Sequence, residues 1–131
     1  LIPCIDFGHL NARDLGCLKE FSDYENIFIK IRDRLGTDRL KGFHSHFSKI
    51  EYTTGGEKRH LTFEDTAYGP DYEPVMELVL KYGCDPTFIC ESAGTQAEDA
   101  KKMKADYYSI VLEGIWYDLA QHLYFRYTCR A

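Results

Sequence analysis

No stretch of about 18 apolar residues occurs in this 131-residue sequence, and no basic segment leads into an apolar one. Neither a membrane span nor a signal peptide is visible, so the expectation is a soluble, cytoplasmic protein. CxxC spacing is also missing. The five cysteines, at 4, 17, 84, 90 and 129, are odd in number, and Cys4 and Cys90 sit inside apolar strand-like runs. They read as reduced packing residues rather than disulfides or a zinc knuckle. Positive charge is scarce: 16 Lys and Arg face 21 Asp and Glu, a net charge of −5. Phosphate binding needs clustered cations, so the balance argues against a large nucleic-acid surface within this segment. A local basic rim from Lys49, Lys58 and Arg59 remains open. Neither GxGxxG nor GxxxxGK[ST] follows any strand, which removes the phosphate-binding signatures of open α/β sheets. No Ser-His-Asp signature is present either.

What is present supports one domain with a real core, since 44% of residues are hydrophobic and 15% aromatic. The chain opens directly in an apolar run, Leu1 to Phe7, which suggests a segment of something longer. Ile2 to Asp6 predicts a buried strand entering a polar loop through Asn11, Arg13 and Asp14. Ser22-Asp23-Tyr24-Glu25 has the form of a capping box, and apolar residues at 24, 27, 28, 31 and 35 trace one helical face ending at Gly36. Gly42 to Phe47 predicts a second strand with His44 and His46 on one side. A long loop with Gly55-Gly56 and Glu57-Lys58-Arg59-His60 is expected next. Asp71 and Pro74 start a helix burying Val75, Met76, Leu78, Val79 and Tyr82 and ending at Gly83. Thr87 to Cys90 predicts a third strand ending in Glu91. Thr95 to Glu98 caps a helix with Ala100, Met103, Tyr107, Ile110 and Val111 on one face, and a weak pattern continues past Gly114 through Leu119 and Leu123.

Alternation of strand and helix predicts an α/β fold with parallel strands. Every strand delivers a metal-competent side chain at or just past its C-terminal end, where the active site of a (β/α)8 TIM barrel lies. The expected fold is therefore a partial TIM barrel, about its last three βα units, spanning residues 1–131. Asp6, His9, His44, His60 and Glu91 combine hard oxygen ligands with imidazoles, a set that suits zinc or manganese. An unpaired carboxylate ending an apolar strand is costly, and a cation compensates it. The alternative for Asp6 alone is a helix cap or turn.

The segment Cys4-Ile-Asp-Phe-Gly-His9 resembles the Asp-x-x-His strand end of the endonuclease IV group within the xylose isomerase-like barrels. Gly42-Phe-His-Ser-His-Phe-Ser-Lys49 resembles that group's next strand, Arg59-His60 its Asp-Arg-His loop, and Ile89-Cys-Glu91 its last strand. The likeness runs from Leu1 to about Glu113. It implies one metal shared by Asp6, His44 and Glu91, and another held by His9 and His60, with further ligands from earlier strands that this chain lacks. It implies zinc, DNA with abasic sites as substrate and a DNA-repair hydrolase activity, in which metal-activated water is the nucleophile. Glu91 would be the catalytic carboxylate, and Lys49 and Arg59 would contact substrate. Two departures stand out. Lys58 occupies the place of the family's carboxylate unless Glu57 reaches in through a one-residue insertion. His46 shares the face of His44 and could substitute for it, although the Ser-Lys spacing favours His44. A sugar isomerase or epimerase of the same superfamily would use Asp6, His44 and Glu91 on one divalent ion, with His9 and Arg59 contacting a small sugar and Glu91 as acid/base. A non-catalytic barrel fragment is the third possibility; its open strand edges predict self-association.

Overall fold

The computed structural model describes residues 1–128, and side chains through residue 117. The expected tail pattern at Leu119 and Leu123, and Cys129, lie outside those side chains. The order is β1 (Cys4–Asp6), α1 (Phe7–Arg13), α2 (Phe21–Leu35), α3 (Thr37–Lys41), β2 (His44–Phe47), β3 (Lys49–Thr53), β4 (Gly56–Leu61), α4 (Glu73–Lys81), β5 (Thr87–Cys90) and α5 (Gln96–Thr128). Strands β1, β2 and β5 form a parallel sheet in that order, while β3 and β4 form a separate antiparallel hairpin. The protein is thus mixed α/β, with parallel strands joined by helical crossovers. No described helix is long and apolar enough to cross a membrane.

The sheet has two unlike faces because side chains alternate along each strand. Ile5, Ser45, Phe47 and Cys90 are buried on one face, where α2, α4 and α5 close the core. Phe28 and Phe43 meet edge to face at 5.6 Å, and Phe47 contacts Phe7 at 5.8 Å and Phe63 at 5.7 Å. The opposite face carries Cys4, Asp6, His44, His46 and Ile89, with Glu91 one step beyond β5. Cys4, Cys17, Cys84 and Cys90 are all free thiols.

Two expected loops prove to be ordered elements. The polar segment after Asp6 is α1, started by Asp6 itself, whose Oδ1 accepts the His9 backbone N–H at 2.9 Å. Seven residues are too few to display a helical period. The segment around Gly55-Gly56 turns β3 into β4, with Thr53 opposite Gly56, and Gly56 takes φ +108°, a conformation suited to glycine. The cap of α2 also moves: Glu20 and Asp23 form the reciprocal pair two residues before the expected Ser22 box.

Gly8 fixes where α1 lies. A Cβ on it would stand 2.6 Å from the Ser48 carbonyl oxygen and 3.0 Å from Ile50 Cδ1. Only glycine lets the helix rest this closely on β3, which is how the next residue, His9, reaches the hairpin.

Candidate metal centre

Strand register builds the first donor group. Asp6 lies beside His46, and His46 beside Ile89, in parallel register. Glu91 follows two residues after Ile89, and its backbone N–H donates to the Phe47 carbonyl at 2.9 Å. One ligand atom each from Asp6, His46 and Glu91 falls within 4.8 Å of the others. His46 Nδ1 is 3.1 Å from Glu91 Oε1. His46, rather than the His44 that the Ser-Lys spacing favours, stands in this group. His44 and His46 point the same way, but His44 sits one rung lower, beside Cys4 and Thr87, too far toward the N-terminal end of the sheet to join this group.

A β-bulge builds the second. Glu51 pairs with Arg59 and Tyr52 with Glu57, so the register slips by one and Lys58 is the extra residue. In an unbroken strand, residues three apart face opposite ways. With the bulge, Glu57 and His60 share the side that faces α1, whereas Lys58 and Arg59 lie together on the other, where both grip Glu51 at 2.7 and 2.6 Å. His9, Glu57 and His60 accordingly form a donor group. Glu57, and not Lys58, is the hairpin's acidic member of this group.

The two groups are linked. Asp6 Oδ2 meets His9 Nδ1 at 2.6 Å, and Ser48 Oγ meets His60 Nδ1 at 2.8 Å. With their Nδ1 atoms occupied, both rings present Nε2 to Glu57, at 2.6 Å from His9 and 3.3 Å from His60. A carboxylate behind a histidine is the arrangement that orients the ring and raises its basicity as a ligand. Burial disfavours the His9 cation, but the Asp6 hydrogen bond, together with the Asp6 and Glu57 charges, outweighs it and raises the His9 pKa above 6.5. A charged His9 satisfies both carboxylates, and a bound cation would replace the Nε2 proton. The donor chemistry of each group, imidazole with carboxylate, therefore fits a divalent cation.

Lys49 and Arg59 are not brought to these groups. Lys49 is buried, with its ammonium on the Asp65 carbonyl at 2.6 Å and on Asp71 at 3.0 Å. Arg59 is held by Glu51 on the exposed side of the hairpin. Each cation of the expected basic rim thus has an oxygen partner within the chain, Lys58 and Arg59 sharing one carboxylate. An open cleft of about 550 Å³ beside β1 is lined by Asp6, His9 and Glu57 with Cys4 and Leu10. A smaller cavity of about 330 Å³ lies between α4, β5 and α5 and contains none of the members of the two donor groups.

Fold and site together define an α/β protein with a parallel sheet whose strand ends carry two linked candidate cation groups. No protein-family model matches the chain, and no solved structure matches it. The chain is similar to the uncharacterized protein MJ0133 of Methanocaldococcus jannaschii, 34% identical over 104 residues. That alignment covers 79% of this chain and 37% of the archaeal protein, so the chain spans well under half of that relative's length.

Proposed function

We propose that this chain forms part of a TIM-barrel metalloenzyme of endonuclease IV type that hydrolyses phosphodiesters with a metal-activated water. The observation that carries the reading is the joining of two donor groups, Asp6-His46-Glu91 and His9-Glu57-His60, through the 2.6 Å contact of Asp6 with His9. Both lie at C-terminal strand ends or on the hairpin beside them, as a barrel site requires. A pair of divalent ions, once bound, supplies Lewis acidity to a phosphoryl oxygen and activates water at neutral pH. Within the chain, Asp6 holds one group and orients His9 of the other. Ser48 sets the ring of His60, and Glu91, set against His46, is placed to accept a proton.

One observation favours a small sugar as substrate instead: Lys49, Lys58 and Arg59 are all committed to oxygen partners within the chain. An isomerase would use Asp6, His46 and Glu91 on a single ion, with His9 of the second group contacting the sugar and no second ion. Elemental analysis of the full-length protein separates the two, with two or three zinc per chain expected and one manganese favouring the isomerase. Cleavage of a duplex containing a single abasic site, abolished by Glu91→Gln, is the expected activity. Ketose interconversion without cleavage would overturn it.

A further inference from the structure

We infer that Cys4, His44 and His46 form a further, thiolate-containing site for a borderline-soft cation, zinc being the natural candidate. It rests on the sheet geometry alone and stands whether or not the chain serves a hydrolase. Cys4 and His44 are direct neighbours in the β1–β2 register, and His46 is the next residue on the same face of β2. One ligand atom from each lies within 4.8 Å of the other two. The two imidazoles stand edge to face at 5.4 Å. Among the described residues, the His44 ring has no hydrogen-bond partner.

The donor set differs in kind from the other two groups. Sulfur with two nitrogens selects zinc over magnesium, calcium or manganese, whereas carboxylate and imidazole alone discriminate less. A tetrahedral zinc, with Zn–S about 2.3 Å and Zn–N about 2.0–2.1 Å, places its ligand atoms roughly 3.4–3.6 Å apart. Side-chain rotations of about an ångström close the observed spacing, because all three residues are at least partly exposed. Three protein ligands leave a fourth position for water. His46 also faces Glu91, so this ion and one held by Asp6 and Glu91 draw on the same ring.

Cobalt(II) titration of the full-length protein, stripped of metal by chelation, tests the assignment. A sulfur-to-cobalt charge-transfer band in the near ultraviolet is expected, saturable by cobalt and displaced by zinc. It should vanish in Cys4→Ser and fall at least tenfold in apparent affinity in His44→Ala. It should persist in Glu57→Gln and in the Asp6→Asn, Glu91→Gln double variant, which dismantle the other groups. Absence of the band in the wild type, or its survival in Cys4→Ser, would overturn the assignment. Circular dichroism of Cys4→Ser, expected to match the wild type, keeps loss of the band from being loss of the fold.

Discussion

Replacing Gly8 by alanine tests the close approach on which His9 depends. An added Cβ would stand 2.6 Å from the Ser48 carbonyl oxygen, and ordinary contact begins near 3.4 Å, so α1 and β3 must part by 3.4 − 2.6 = 0.8 Å. The obstacle is backbone oxygen and fully buried Ile50, neither of which can swing aside. Overpacking of this kind costs about 1–3 kcal/mol. Alanine returns up to about 1 kcal/mol through helix propensity and a less disordered unfolded chain. The net expectation is a loss of about 1–2 kcal/mol, read as a lower urea midpoint at unchanged slope. Gly114→Ala is the control, because nothing lies within 4 Å of a Cβ there and the residue is inside α5. It should gain about 0.5–1 kcal/mol. Moving α1 also draws His9 away from Glu57, so Gly8→Ala should weaken cation binding by the His9 group while sparing Asp6-His46-Glu91. Equal stabilisation by both substitutions would refute the reasoning.

Phe47→Ala should destabilise by about 3–5 kcal/mol, since the ring is fully buried against Phe7, Phe63 and Tyr72; denaturant titration measures it, and a loss below about 1 kcal/mol would contradict the packing. Lys49→Ala should lower the melting temperature yet leave cation stoichiometry by calorimetry unchanged, whereas an unchanged melting temperature with impaired substrate binding would restore Lys49 as a substrate contact. Hydrogen bonds from Lys81 and Tyr82 hold the Glu25 carboxyl below its ordinary value of 4.5. The stabilisation it gives is therefore present above that value and lost as pH falls through the depressed folded-state pKa. Glu25→Gln should melt lower than wild type at neutral pH, with the gap closing in acid; a gap independent of pH would show that the charge is not responsible.

β1 and β5 were legible as short apolar runs bounded by a polar break, β2 by the alternation of His44 and His46 with Ser45 and Phe47, and the stops at Gly36 and Gly83 because glycine ends helices there. Asp6, His9 and Glu91 were legible as candidates, being polar groups at or just past the ends of such runs, and His60 as an imidazole in a polar segment. The choice between His44 and His46 was not, since both point the same way and only the register with β1 and β5 separates them. That register is a relation between distant segments. The hairpin stayed hidden because Glu57 to His60 is uniformly polar and its bulge interrupts the two-residue period that marks a strand. The partners of Lys49 were hidden for a related reason: Asp65 and Asp71, which hold its ammonium, come from beyond the hairpin.

The extra residue at Lys58 makes the hairpin's chemistry a question of parity. A straight ribbon offers an acid and an imidazole to the same partner only when an even step separates them; this ribbon does so across an odd step by folding one residue out of the count. Glu-x-x-His with the kink and an acid-x-His pattern without it are therefore equivalent spellings of one pair. Sequences that differ here by a single inserted residue can preserve the same centre, while a substitution that irons the kink flat would dismantle it without touching either ligand.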